Sequence, residues 1–460
     1  MTKEIERFKN TKKKLDEVSE SFCVAKWSQV TLHLQNGFNH SCHHPVSVKT
    51  PLEEIEKNPA ALHNTTYKKE RRKEMLNGIR CKECQYCWNI EDLPGDHVSD
   101  RLMKSSAPWS ESLFDQVVNS DWDDDINPSY VEVSFSNVCN FKCSYCSPVY
   151  SSRWTEEIAK NGPYELSTIK LNDLDSKRDR RELPIHHTEH NPYVEAFWKW
   201  WPDLVKDLQI FRITGGEPLL DKNTFKVLDY LNNNPHPDLS LAINSNFGIP
   251  DKNMDSFISI SKKLLNNISS LHMFTSVDTS GAPAEYSRYG LDYMKWKETV
   301  DKVLTELPTV KVTVMCTTNI LSLVGFKELL EFIYEMKLKH FNECRKVPIT
   351  LDMSILHWPN HLDVAILPEQ FNTFMDNSLE YMQMHQEGVA GNPYYKGFYD
   401  FEIEKMERFI KYLISGKKDN INECRKDFSI FIDEYDRRRG TDFKQTFPEL
   451  VPFYEECSRI

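Results

Sequence analysis

The chain has no apolar run long enough to cross a bilayer, so no membrane-spanning helix is expected. It also lacks a surplus of positive charge: 57 Lys and Arg stand against 69 Asp and Glu, a formal net charge of −12. That balance offers no general attraction to nucleic acid or to an anionic membrane. The basic runs Lys68–Lys73 and Arg178–Arg181 are short and mixed with acids. The opening Met1-Thr-Lys-Glu-Ile-Glu lacks the apolar stretch of a signal peptide, which leads us to expect a cytoplasmic location.

A chain of 460 residues, 40% hydrophobic and 12% aromatic, can bury a large core without disulfide staples. Its 12 cysteines are grouped: Cys23 and Cys42, then Cys81, Cys84 and Cys87, then Cys139, Cys143 and Cys146. Grouping in a reducing compartment favours metal over disulfides. Cys316, Cys344, Cys424 and Cys457 are scattered and read as buried or incidental.

Residues 1–127 read as a cysteine-bearing amino-terminal module that begins with a charged helix or arm and has no long run of strands. Six strand patterns follow, at Val131–Ser136, Leu208–Thr214, Leu239–Asn244, His272–Asp278, Val310–Cys316 and Ile349–Ile355. Helical patterns lie between the later ones, at Thr224–Leu231, Met254–Leu265, Tyr293–Leu307 and Phe326–Met336. Strands alternating with helices predict an α/β fold over 128–358, a partial (β/α)6 TIM-like barrel, with a doubly wound sheet as the competing geometry. Residues 359–460 read as a helical region covering a side or the bottom. An insertion over 155–205 separates the first two strands by far more than a usual loop. It reads either as a lid near the site mouth or as a surface insertion packed on Trp198, Trp200 and Trp201.

Chemistry is expected at the carboxyl ends of the strands. Directly after the first strand comes Cys139-Asn-Phe-Lys-Cys143-Ser-Tyr-Cys146, and the second strand ends in Thr214-Gly-Gly-Glu-Pro218. Three thiolates can hold three irons of a [4Fe–4S] cube and leave the fourth open. Zinc, or three buried thiols, is the bland alternative, although no fourth cysteine follows at short range. In the second motif the glycines let the backbone pass close to a ligand, and Pro218 restricts the chain after Glu217.

Together these motifs resemble the radical S-adenosylmethionine (SAM) superfamily. The resemblance implies that Cys139, Cys143 and Cys146 hold a [4Fe–4S] cluster whose open iron binds SAM. It implies that backbone groups at Gly215 and Gly216, with Glu217, meet the methionine amino group, and that Asn244 and Ser245 meet the ribose. Ser276 and Arg288 would hold the SAM carboxylate, Arg288 bidentately; an ion pair of Arg288 with Glu285 is the plainer alternative. Tyr145 would shield the cluster or pack near adenine, and Asp278 is the candidate for substrate contact or proton handling. The amino-terminal pattern, Cys23-x13-Gly37-x4-Cys42 followed by Cys84-x2-Cys87, is similar to auxiliary-cluster modules of the twitch and SPASM type, here placed before the barrel. A hairpin is expected at Gln29–Leu34 with its turn at Asn36-Gly37. Cys23, Cys42, Cys84 and Cys87 would saturate a second [4Fe–4S] cluster and leave Cys81 spare; His40, His43 and His44 keep zinc open there.

The resemblance implies an oxidoreductase that reductively cleaves SAM and abstracts hydrogen from a peptide or protein side chain. A small metabolite, amino acid or nucleotide-sugar is the alternative substrate, and a non-catalytic zinc- or cluster-stabilised binding protein the alternative class. The implied partner is a low-potential electron donor such as flavodoxin or ferredoxin.

Overall fold

A computed structural model of the chain describes residues 2–95, 97–342, 345–387, 396–416 and 418–460. Cys344 lies outside the described residues. The sheet strands are β1 (Gln29–His33), β2 (Phe38–His40), β3 (Val48–Lys49), β4 (Tyr130–Ser134), β5 (Ile210–Thr214), β6 (His236–Ser245), β7 (Ile268–Ser276), β8 (Lys311–Thr318) and β9 (Ile349–Ile355). The helices used below are α1 (Thr2–Asp16), α2 (Thr66–Leu76), α3 (Ser152–Asn161), α4 (Pro192–Leu204), α5 (Lys222–Asn233), α6 (Asp251–Leu264), α7 (Tyr293–Glu306), α8 (Phe326–Lys339), α9 (Asp400–Ser415) and α10 (Ile421–Arg439).

All nine strands form one sheet in the order β9-β8-β7-β6-β5-β4-β1-β2-β3. From β9 to β1 every neighbouring pair is parallel, while β2 and β3 run antiparallel. The β4-to-β9 order never reverses, so the doubly wound alternative, which needs a switch point, does not apply. All six expected strands and four expected helices are present. Alternation explains why: Leu239, Leu241 and Ile243 of β6 are buried on one face, while Ser240, Ala242 and Asn244 between them are only half-buried. Asp221 and Asp292, whose side chains accept from Asn223 N and Lys295 N, start α5 and α7.

The expected hairpin is β1 and β2, but β1 also pairs in parallel with β4, Gln29 opposite Tyr130 through His33 opposite Ser134. The amino-terminal region is therefore joined to the large sheet by hydrogen bonds. Val30, Leu32 and Leu34 belong to the main core, whereas Phe8, Leu15, Phe22, Val24, Trp27, Met75 and Leu102 form a smaller separate one. At the other edge, α9 covers β9: buried Glu402 accepts from Leu351 N at 2.7 Å and from Lys337 Nζ at 2.8 Å. Among the described residues no helix is long and apolar enough to cross a membrane.

Candidate functional site

A cavity of about 490 Å³ opens at the carboxyl ends of β4 to β8. Cys139, Cys143, Tyr145, Cys146, Gly215, Gly216, Asn244, Ser245, Ser276 and Arg288 all line it. Residues from four strand ends and the cysteine loop thus meet in a space of ordinary ligand size. The three cysteines are free thiols, and burial pushes Cys146 up to about 12 and raises Cys139 and Cys143. Any metal there must displace those protons.

Two expected residues stand behind the wall. Asp278 is fully buried and accepts four hydrogen bonds: Arg288 Nε at 3.0 Å, Arg288 Nη2 at 2.9 Å, Tyr145 Oη at 2.8 Å and Thr317 N at 2.9 Å. With every acceptor position filled it has none for a proton or a substrate, so it positions Arg288 and Tyr145. Arg288 in turn does not pair with Glu285, which accepts from Tyr293 N. Its bidentate edge is taken by Asp278, which leaves Nη1 facing the cavity, 3.7 Å from Cys143 Sγ. A two-pronged grip on a ligand carboxylate is therefore replaced by a single donor.

Glu217 is likewise 1% exposed, accepting from Leu219 N (3.0 Å), Ser245 Oγ (2.7 Å) and Asn246 N (2.6 Å). Burial pushes its carboxyl up to about 7 against the pull of those donors. It ties the glycine turn to the end of β6 and leaves the cavity wall to the backbone of Gly215 and Gly216. That turn is zipped to the cysteine loop by Gly216 N to Ser136 O (3.3 Å) and Glu217 N to Val138 O (2.7 Å). A Cβ on Gly216 would fall 2.3 Å from Val138 O, and one on Gly215, whose φ is +122°, would fall 2.6 Å from Ser134 Oγ. Gly216→Ala is accordingly expected to cost about 1–3 kcal/mol in urea unfolding, since backbone blocks the new methyl. An unchanged midpoint would show that the two loops can separate freely.

Sequence reasoning missed several wall residues. Thr214 and Thr317 sit at strand ends like Asn244 and Ser276, and the same positional logic would have found them. Leu171, Asn172 and Lys177 come from the insertion, and Trp358 and Pro359 from the chain after β9. Asn172 is held there by donating to Cys146 O at 3.1 Å from a left-handed backbone (φ +64°). The insertion divides: its first half rims the cavity, while α4 packs Phe197 and Trp201 onto Phe211 in the main core instead of forming a surface unit on its own tryptophans. Behind the cysteine loop, Arg439 of α10 donates to Lys142 O (2.7 Å) and to Glu157 of α3 (3.1 and 3.2 Å), so the carboxyl-terminal region braces the loop.

A second, narrower cavity of about 30 Å³ is lined by Cys23, Cys42, Cys84 and Cys87, with Lys26, His44, Arg101 and Lys104. Burial pushes Cys84 and Cys87 up to about 12 and raises Cys23. Arg101 is fixed by Glu91 (3.0 and 3.1 Å) and Asp16 (2.9 Å), and Lys26 by Glu83. Cys81 is outside this set, its thiol directed at Arg71 O (3.3 Å) and Glu74 Oε2 (3.4 Å) of α2. If this set holds a four-iron cluster, Cys81→Ala should leave the iron content after anaerobic reconstitution unchanged, whereas Cys84→Ala should lower it by about four atoms per chain. Equal losses in both would place Cys81 among the ligands.

Among the described residues, no group of three or more His, Cys, Asp or Glu side chains stands assembled to hold a metal ion. Both thiol sets are free side chains lining cavities rather than finished ligand cages. The chain matches no family model and no curated protein.

Proposed function

We propose that this chain is a radical SAM enzyme carrying a second, auxiliary [4Fe–4S] cluster. The observation that carries the reading is the shared cavity: three thiols, the glycine turn and the polar ends of β6 and β7 line one space. The residues fit such a group. Three thiol donors leave one iron of a cube free, and a four-iron cube, unlike a single zinc, holds its thiolates well apart. On this reading the six sequential parallel units form a partial (β/α)6 barrel, and the chain works in the cytoplasm with flavodoxin or ferredoxin as electron donor.

When bound and reduced, the cluster would supply the electron that splits SAM into methionine and a hydrogen-abstracting 5′-deoxyadenosyl radical. The chain's own part is to bind, orient and enclose. Arg288 Nη1 would meet the carboxylate of SAM, with Ser276 beside it; the backbone of Gly215 and Gly216 would meet the amino group. Asn244 would face the ribose, while Ser245, whose hydroxyl donates to Glu217, acts mainly by holding the turn. Leu171, Asn172, Lys177 and Trp358 would limit access of water and oxygen from the rim. Four thiols at the second cavity match in number the ligands of a fully ligated cluster, beside the cations Lys26, Arg101 and Lys104. The substrate is read as a peptide or protein side chain, with a small metabolite as the alternative.

Anaerobic reconstitution followed by iron and sulfide counting tests this: about eight irons per chain are expected. Dithionite should then drive formation of 5′-deoxyadenosine from SAM. Bound zinc without iron-dependent visible absorption would make the protein a metal-stabilised binding protein instead.

A further inference from the structure

The wall of the first cavity is uneven in charge. Among its lining residues stand two cations, Lys177 and Arg288, and no aspartate, glutamate or histidine. The acids behind that wall are already engaged. Asp278 is filled by Arg288, Tyr145 and Thr317, and Glu217 by Leu219 N, Ser245 and Asn246 N. Glu132, nearer the start of β4, faces Arg212 at 3.8 Å and does not reach the wall. Asp278 balances the charge of Arg288, so the unmatched charge of the cavity is that of Lys177.

Lys177 lies on the short helix Leu174–Asp179 of the insertion, with its side chain 14% exposed. Among the described residues its Nζ makes no hydrogen bond, and its one ion-pair contact, Glu182 at 3.9 Å, is too long to be one. Glu182 is held instead by Arg180, which donates to it at 2.8 and 3.2 Å. Asp173 caps the helix by accepting from Asp175 N and Ser176 N. Arg178 pairs with Asp175. The insertion thus matches Arg178 and Arg180 with acids on its outer surface, while Lys177 brings three N–H donors to the cavity wall unmatched. An ammonium so far withdrawn from water is costly unless an anion completes it.

The same cavity is lined by two aromatic side chains that solvent reaches, Tyr150 at 43% and Trp358 at 58% exposure. The groups read above as meeting SAM stand at strand ends. Lys177, Tyr150 and Trp358 come from the segments around those ends, so they face what enters beside SAM. A cation with exposed aromatic faces suits an anionic group on a compact organic body. A cationic substrate would find no carboxylate on this wall to pair with.

We propose that Lys177 anchors an anionic oxygen group of the substrate, a carboxylate or a phosphate, at the rim of the first cavity. That the occupant is the substrate rests on the reading of this cavity as the reaction site. The group can come from an acidic side chain of a peptide or from a small phosphorylated metabolite.

The test uses the full chain, reconstituted anaerobically and saturated with SAM, with binding read by saturation-transfer NMR and no turnover. The probes are blocked Gly-Glu-Gly against Gly-Gln-Gly, and phenyl phosphate against phenol. In one series the anionic member is expected to bind about tenfold tighter, the worth of one charge-assisted hydrogen bond, and that series names the source. The preference should vanish in Lys177→Gln, persist in Lys177→Arg, and invert toward blocked Gly-Lys-Gly in Lys177→Glu, with circular dichroism and iron content unchanged. Equal binding within both series would overturn the anchor. So would a preference lost once SAM is added, which would give Lys177 to the SAM carboxylate. A preference that survives Lys177→Gln while the midpoint potential of the cluster shifts would overturn it too, making Lys177 a counter-charge to the thiolates. Failure to bind SAM or to form 5′-deoxyadenosine would count against the radical reading alone, and the preference is then read without SAM.

Discussion

Cys143→Ala is expected to abolish dithionite-dependent 5′-deoxyadenosine and to lower the iron content by about four atoms per chain. Cys143 is the middle thiol of its loop. Its neighbours are fixed from outside, with Trp154 Nε1 donating to Cys143 O at 2.9 Å and Arg439 donating to Lys142 O. The loop therefore keeps its backbone when the sulfur is removed, and the loss reports on ligation rather than on folding. The iron of the second thiol set should remain, visible as roughly half the wild-type count. Liquid chromatography of the nucleoside product and colorimetric iron assay give both numbers from one preparation. Full retention of activity would show that these thiols do not hold the reacting group.

Asp278→Ala should be the most destabilising single change near the cavity, by roughly 3–5 kcal/mol, because it strands a buried guanidinium. Arg288 is 6% exposed, and two of its nitrogens end on that carboxylate. Tyr145 Oη and Thr317 N lose their acceptor in the same step. Removing the charge as well, in Asp278→Ala/Arg288→Met, is expected to recover much of the loss, since an apolar pair avoids the unpaired cation. Urea unfolding of the two variants beside the wild type measures it. A single variant with an unchanged midpoint would mean that Arg288 finds another partner.

Much of this arrangement was legible in the chain because its signals are local. Strand alternation located β4 to β9, and the resemblance to auxiliary-cluster modules, rather than the even spacing of Cys81, Cys84 and Cys87, set Cys81 apart. The Asn36-Gly37 turn gave the β1–β2 hairpin. A hairpin signal says nothing about a third partner, however, so the parallel pairing of β1 with β4 could be found only from the folded structure. The role of Asp278 was hidden for a related reason. A carboxylate at a strand end reads as available, and only the tertiary contacts show that Arg288, Tyr145 and Thr317 have filled it. Leu171, Lys177 and Trp358 carry no pattern that announces a cavity wall; they arrive there through the packing of the insertion and of the chain after β9.

The pairing of β1 with β4 also sets an order in time. Cys23, Cys42, Cys84 and Cys87 all precede Tyr130, so the second thiol set has left the ribosome before the strand that anchors β1 exists. The first cavity needs the chain through Pro359. During synthesis, then, the amino-terminal thiols are complete while the central sheet is not, and β1, paired on one side with β2, keeps its other edge open until β4 emerges about a hundred residues later to close a long-range contact.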